Sequence, residues 1–136
     1  MPTFSQMSLL RLKTCHPDLQ RLFLEVIKHR DCTVLEGFRD QAAQEAAFRA
    51  GTSDKHWPDG KHNHQPSLAV DVAPYFATEP HVRWNDRDAF IAFSNFVLGV
   101  AAMLGIAVRS GGDWDGDLDY TDQRLVDWPH FELVAP

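Results

Sequence analysis

The sequence predicts an α+β fold, in which a small, mainly antiparallel sheet is backed by two longer helices. Apolar residues recur at helical spacing in two separate stretches, 17–30 and 86–104. Four short β-prone stretches accompany them, at 32–35, 67–73, 106–109 and 128–134. With 136 residues, 44% of them hydrophobic and 24% charged, the chain suits one globular domain, residues 1–136.

The first half of the chain predicts three helices and one strand. A short amphipathic helix covers 5–12, and a longer one starts at Pro17, because proline suits the first helical position. After the strand at 32–35, Asp40 can cap a helix from 41 to 50. These elements read as scaffold around the strand.

Residues 52–66 predict a long loop, since they are rich in Gly, Pro, Asp, Asn and His and show no periodicity. The strand at 67–73 follows and carries Asp71 among small apolar residues. A buried carboxylate is costly unless its charge is compensated, and a metal ion does this directly. A salt-bridged or hydrogen-bonded Asp71 is the alternative.

The second half contains the aromatic helix 86–104, which we interpret as core, and the strands at 106–109 and 128–134. In the last strand, alternation places His130 and Glu132 on one face, and Asp127 lies just before the strand. Two histidines and one carboxylate can bind zinc with a position left for water, and a further carboxylate can act as the general base. The stretches around Asp71 and His130 offer these residue types.

Five aspartates between residues 113 and 122 form an acidic loop around Gly116. Carboxylates so close together repel one another unless they are solvated or share a cation. The spacing resembles a calcium loop only loosely, so a solvated loop and a Ca²⁺ site both remain open. The candidate calcium ligands are Asp113, Asp115, Asp117 and Asp119, with Asp122 as the fifth acid.

The pattern His64-x6-Asp71, with Ala69 before the aspartate, followed by Asp127-x-x-His130, resembles a zinc peptidase superfamily. That superfamily comprises D-Ala-D-Ala carboxypeptidases and dipeptidases, and the nearest resemblance is to L-alanyl-D-glutamate peptidases of bacteriophage endolysins. The family pattern is Ser-x-His-x-x-Gly-x-Ala-x-Asp. This chain departs from it with His62 at the serine position and Ser67 at the glycine position. Stretches 17–20, 36–39 and 112–114 extend the resemblance over most of the chain.

The resemblance implies that His64, Asp71 and His130 bind Zn²⁺ and that Asp127 is the general base. It also implies that Arg39 binds the substrate or its oxyanion, whereas a lone arginine is otherwise a solvated surface charge. Two residues keep open interpretations. His62 is a solvent-exposed loop residue, a partner of a ligand or a substrate contact, and Glu132 hydrogen-bonds a ligand or is a buried, paired acid.

The function that the resemblance implies is hydrolysis of the L-Ala–D-Glu bond in the peptidoglycan stem peptide, leading to cell-wall lysis. A D-Ala-D-Ala carboxypeptidase is the first alternative, and a non-catalytic zinc domain that binds cell wall or a protein is the second. Asp127 argues against the latter, because a structural site needs no spare acid. A nucleic-acid enzyme is disfavoured by the net charge of −6 and the lack of a basic cluster.

We expect a monomer without stable membrane insertion. The N-terminus lacks a basic start and a long apolar region, and no run looks long enough to cross a bilayer. The expected location is therefore the host cytoplasm until release to the periplasm or cell wall. Cys15 and Cys32 are interpreted as reduced, buried thiols, with a disulfide as the alternative.

Overall fold

A four-stranded antiparallel sheet forms the centre of the described part of the chain. The computed structural model describes residues 1–117, 119, 121 and 126–134. The strands are β1 (Cys32–Glu36), β2 (Ala69–Pro74), β3 (Val108–Ser110) and β4 (His130–Leu133), in the spatial order β1-β2-β4-β3. The helices are α1 (Gln6–Leu12), α2 (Pro17–Val26), α3 (Gln41–Arg49) and α4 (Arg87–Leu104), with a short 3₁₀ turn at Lys61–Asn63. The predicted α+β class is confirmed.

Each α-helix begins at a side chain that accepts a hydrogen bond from the first turn. Ser5, His16, Asp40 and Asp86 cap α1 to α4 in this way, and each satisfies a backbone N–H group that has no partner inside the helix. The last helix ends at Gly105, whose φ of 72° is the left-handed conformation that glycine adopts readily. Local sequence thus sets where the helices start and where α4 stops.

Helices α2 and α4 cover one face of the sheet with apolar side chains. Phe131 of β4 makes edge-on contacts with Phe23 of α2 and Phe93 of α4, at ring-centroid distances of 5.5 and 6.2 Å. Val70 and Val72 of β2 are fully buried in the same core. Because successive side chains of a strand point to opposite faces, this core face sends the alternate residues of β2 and β4 to the other face.

The pairing of β2 with β4 brings charged residues side by side on that second face. Asp71 lies opposite His130, and Glu132 lies opposite Ala69 on one side and Arg109 of β3 on the other. Directly opposed residues in antiparallel strands have Cβ atoms about 5 Å apart, close enough for side chains to share a ligand. The sheet therefore builds the centre of a polar site.

Helix α4 spans 18 residues with a mean hydropathy of 1.4, so by length and composition alone it could cross a membrane, contrary to the expectation that no run is long enough. Its Phe90, Phe93, Val97 and Ala101 are buried within the protein, and 28% of the stretch is buried in all. Both cysteines are free and buried, and burial raises the pKa of each thiol to about 12.

Candidate active site

Three side chains converge at the centre of the polar face. His62 Nε2 lies 3.1 Å from Asp71 Oδ1 and 3.3 Å from His130 Nδ1, and His130 Nδ1 lies 3.4 Å from Asp71 Oδ1. His62 comes from the 3₁₀ turn before β2, Asp71 from β2 and His130 from β4. All three are buried or nearly so, and they form a triangle of nitrogen and oxygen donor atoms.

This triangle has the dimensions of a metal site. Ligands held tetrahedrally at about 2.0–2.2 Å from a zinc ion lie about 3.3–3.6 Å from one another. The donors in the triangle are separated by 3.1, 3.3 and 3.4 Å. Two imidazoles and a carboxylate also form a donor set that zinc accepts, and a tetrahedral site would leave one position open.

The outer contacts of both imidazoles turn their lone pairs toward the triangle. His62 Nδ1 lies 2.7 Å from the carbonyl oxygen of Gly37, which can only accept, so this nitrogen carries the proton. His130 Nε2 likewise donates to Glu132 Oε1 at 2.8 Å. In the neutral rings, His62 Nε2 and His130 Nδ1 are then free to bind a cation, as in metal sites whose histidines are oriented by hydrogen bonds.

His62, rather than the predicted ligand His64, occupies the third corner of the donor triangle. His64 is exposed and does not belong to the donor triangle. The short turn at Lys61–Asn63 directs His62 inward, and its carbonyl oxygen accepts a hydrogen bond from Arg39 N at 2.8 Å. The seven-residue spacing of the family pattern selected His64, but the backbone path through the loop decides which histidine faces Asp71.

Asp127 lies beside the triangle, as expected from its position before β4. Its Oδ2 is 3.9 Å from His130 Nδ1. Burial, and then the negative charge of Asp71, raise the pKa of Asp127 to about 6. A Cβ atom at Gly111 would lie 2.2 Å from the backbone oxygen of Asp127, so this close approach requires glycine there.

The charges within the triangle stabilise one another. Burial alone would raise the pKa of Asp71, but the nearby His62 and His130 hold it well below its usual range. Burial would lower the pKa of His130, yet hydrogen bonds to Asp71 and Glu132 raise it to about 9. Without a metal, His130 is therefore protonated at neutral pH, and a cation at the site would have to displace that proton.

Glu132 links His130 to two cations. Its Oε2 lies 2.9 Å from Arg109 Nη2 and 3.4 Å from Lys61 Nζ, while Oε1 accepts from His130. Although burial opposes it, pairing with His130 and Arg109 lowers the pKa of Glu132 to about 2. The structure thus shows both features considered for Glu132. It accepts a hydrogen bond from His130, and it is a buried acid paired with cations.

Arg39 is held in place near Asp71 Oδ2, whereas the two histidines lie near Asp71 Oδ1. Its Nε and Nη2 bond the two carboxylate oxygens of Glu36 at 3.0 and 2.9 Å, and Nη1 bonds Gln44 Oε1 at 2.9 Å. Its Nη2 is 3.9 Å from Asp71 Oδ2, and only 10% of its side chain is exposed. Arg39 is therefore a fixed, nearly buried cation next to the donor triangle rather than a solvated surface charge.

A cleft of about 870 Å³ opens over these residues. Its lining includes Arg39, Gln44, Lys61, His62, Arg109, Trp114, Asp127, His130 and Glu132. The Trp114 ring lies 5.2 Å from that of His130. Sequence reasoning missed Lys61, Arg109, Gln44 and the roles of their contacts, because single polar residues carry no periodic signal.

The acidic loop places Asp113, Asp115 and Asp117 together. One carboxylate oxygen from each lies within 4.8 Å of the others, with Asp113 buried and the other two exposed. Asp119 does not join this group, and its Oδ1 accepts hydrogen bonds from Thr121 instead. Asp122 lies outside the described residues. The arrangement allows a cation but does not require one, because exposed acidic groups are common without an ion.

An α+β sheet that carries a His–Asp–His donor triangle, an adjacent acid of raised pKa and a fixed arginine is an arrangement typical of hydrolase active sites. Comparison with known proteins makes this more specific. A sequence model of the phage L-alanyl-D-glutamate peptidase family matches residues 2–134. The chain therefore belongs to this family.

Two relatives agree with the assignment. The L-alanyl-D-glutamate peptidase of Escherichia phage T5 is 32% identical over 136 residues, covering 96% of this chain and 97% of that protein. The crystal structure of the Serratia marcescens L-Ala D-Glu endopeptidase ChiX superimposes with a TM-score of 0.76 at 30% identity, covering 97% of this chain and 90% of the other. The similarity therefore extends over the whole fold.

Proposed function

We propose that this protein is a zinc-dependent peptidase that hydrolyses the amide bond between L-alanine and D-glutamate in the stem peptide of bacterial peptidoglycan. The observation that carries the proposal is the donor triangle of His62, Asp71 and His130, with Asp127 beside it in an open cleft. Membership of the phage L-alanyl-D-glutamate peptidase family supports the choice of bond. Both relatives described above carry the same bond in their names.

His62, Asp71 and His130 would hold the zinc ion. When bound there, zinc supplies a Lewis acid that activates water and polarises the substrate carbonyl group. The hydrogen bonds from His62 to Gly37 and from His130 to Glu132 keep both imidazoles oriented for this task.

Asp127 would move the proton. As a carboxylate it takes a proton from the attacking water while the new C–O bond forms, and it then delivers that proton to the leaving nitrogen of D-glutamate as the C–N bond breaks. The pKa of about 6 suits both steps near neutral pH, because the group can exist in either protonation state.

Arg39 would stabilise the negative charge that develops on the carbonyl oxygen. A guanidinium fixed before the reaction needs no reorganisation when the charge appears. Glu36 and Gln44 provide that fixation through three hydrogen bonds of 2.9 to 3.0 Å. The Nη2 atom of Arg39 also lies 3.9 Å from Asp71 Oδ2, next to the donor triangle.

The proposed biological role is lysis of a bacterial host by a phage enzyme. The proposed acting form is the monomer. For an enzyme that accumulates in the host cytoplasm, as we propose, the substrate lies beyond the inner membrane, so activity in the cell would begin only after release.

Digestion of purified peptidoglycan tests the proposal. The expected products carry new N-terminal D-glutamate and new C-terminal L-alanine, which end-group labelling and mass spectrometry can identify. Removal of metal with a chelator should stop the reaction, and added zinc should restore it. Release of D-alanine instead, or undiminished hydrolysis by protein verified as metal-free, would contradict the proposal.

A further inference from the structure

We propose that Lys61 and Arg109 form a binding site for the free carboxylate of the D-glutamate residue in the substrate. This inference rests on the proposed function and adds the residues that would recognise the D-glutamate side of the scissile bond. The pair Lys61 and Arg109 is called the cationic wall below. It would make the enzyme distinguish a D-glutamate residue from its uncharged amide.

The cationic wall belongs to the same cleft as the donor triangle. Lys61 directly precedes His62, and Arg109 lies opposite Glu132 in the β3–β4 pairing. Short contacts join the wall to the donor triangle. Glu132 accepts a hydrogen bond from His130 at 2.8 Å and forms an ion pair with Arg109 at 2.9 Å. The wall is therefore one carboxylate group away from a corner of the triangle.

The charges of the wall do not cancel. Lys61 and Arg109 both contact the same oxygen of Glu132, so two positive charges share one negative charge, and the other oxygen of that carboxylate is occupied by His130. Within the group formed by Lys61, Arg109 and Glu132, one positive charge is therefore not balanced. An anionic group of the substrate would complete the pairing.

The wall also has exposed donors to offer. The side chains of Arg109 and Lys61 are 42% and 31% exposed, and Arg109 Nη1 makes no hydrogen bond to any other described residue. Arg109 lies over the Trp114 ring at 5.7 Å, which helps to fix the guanidinium plane. Arg39 differs, because it is 10% exposed and already paired with Glu36.

The chemistry of D-glutamate supplies such an anion. Glutamate has two carboxyl groups, and a peptide that continues beyond it uses only one of them. The other is ionised near neutral pH, because its ordinary pKa is about 4.3. It lies only a few bonds from the scissile nitrogen, which matches the short distance between the donor triangle and the wall.

Two peptides that differ at one group test the inference. One contains L-Ala–D-Glu with its free carboxylate, and the other carries a carboxamide in place of that carboxylate. Wild-type protein should cleave the carboxamide peptide with a kcat/KM lower by about tenfold or more, the range expected for losing a charge-assisted hydrogen bond. Arg109→Gln and Lys61→Gln should each reduce this preference, and the double variant should bring the ratio close to one.

Matched controls separate recognition from folding. Lys55→Gln removes a cation from the same cleft that makes no ion pair with Glu132, so the preference for carboxylate should stay at the wild-type value. Arg109→Lys keeps the charge and should retain part of the preference. Zinc content and melting temperature should be measured for every variant, so that the ratio is compared only between folded, metal-loaded proteins.

Two results would overturn the inference while leaving the proposed function intact. One is equal cleavage of both peptides by wild-type protein. The other is a loss in the Arg109→Gln and Lys61→Gln variants that is equal for both peptides, because the wall would then act only by positioning Glu132 and His130. Cleavage of neither peptide by wild-type protein would overturn the proposed function itself, and the inference with it.

Discussion

His62 and His64 are two positions apart in the loop before β2 but have different surroundings. His62 is 4% exposed and contacts Gly37, Asp71 and His130, whereas His64 is exposed. We expect His62→Ala to lose zinc on dialysis and to be inactive, because two ligands hold the ion far more weakly than three. His64→Ala is the matched control and should keep both zinc and activity. Elemental analysis after dialysis measures the zinc content of both variants. Zinc loss from the His64 variant alone would instead identify His64 as the ligand.

Asp127 lies near the donor triangle without belonging to it. Asp127→Ala should retain zinc and fold but lose about 10² to 10⁴ in rate, the usual effect of removing a general base. His130→Ala should instead lose zinc, and excess metal should partly rescue it. Zinc content and release of N-terminal D-glutamate are measured in parallel. Wild-type rates in Asp127→Ala, or zinc loss as large as in His130→Ala, would refute the assigned role.

Helix α3 is attached to the site by its buried side chain, Gln44. Gln44 accepts hydrogen bonds from Arg39 and Asn63 and donates to Ser53 and to the backbone oxygen of Lys55, at 2.7 to 3.0 Å. It therefore joins α3, the long loop and the turn that carries His62.

We expect Gln44→Met to destabilise the protein by about 2–4 kcal/mol, because several buried polar groups lose their partners at once. Activity should fall as well, since Arg39 loses one of its supports. Gln41→Met, at the exposed start of the same helix, should change stability by less than about 0.5 kcal/mol. Denaturant titration of the two variants measures the difference. Equal stability of both would show that the network contributes little.

The acidic loop between β3 and β4 supports a prediction about calcium. If Asp113, Asp115 and Asp117 bind Ca²⁺ through their clustered oxygens, millimolar calcium should raise the melting temperature or the activity. Asp113→Asn combined with Asp117→Asn should abolish this response, and Asp88→Asn on α4 should preserve it. Identical melting curves of the wild-type protein with and without calcium would leave the loop as a solvated acidic segment.

The elements and the site differ in how far sequence predicts them. Helices and strands followed from periodicity, caps and Gly105, because these signals are local. Asp71 and His130 were identified by the resemblance to the zinc peptidase superfamily, and each lies on a strand that fixes its direction. His62 was not identified in this way, because a loop has no periodicity that indicates which side chain points inward. Lys61, Arg109 and Gln44 contact partners distant in sequence, such as Asn63 for Gln44, so only the folded structure shows these contacts.

For the molecule as a whole, the donor triangle links metal binding to stability. In the metal-free protein the pKa of His130 is raised to about 9, above its ordinary 6.5. The protonated form therefore stabilises the fold fully below pH 6.5, and this contribution is lost as the pH rises through 9. The zinc-bound protein does not carry that proton. We expect the gain in melting temperature on adding zinc to be larger at pH 8 than at pH 6.

Thermal unfolding with and without zinc at several pH values measures this gain. At a free zinc concentration about 100 times the dissociation constant, the stabilisation should be about 2.7 kcal/mol. The His130→Ala variant is the control and should show little gain at either pH. A gain that decreases from pH 6 to pH 8 would mean that protons do not compete with the metal at this site.

The pairing of Asp71 with His130 in the middle of the sheet has a consequence for the order of synthesis. A nascent chain leaving the ribosome displays α1, α2, β1 and β2 long before β4, although β4 is the strand that lies between β2 and β3. Until residues 130–133 have emerged, the sheet has a gap and the donor triangle lacks one of its three corners. The donor triangle therefore cannot be complete before β4 has been synthesised.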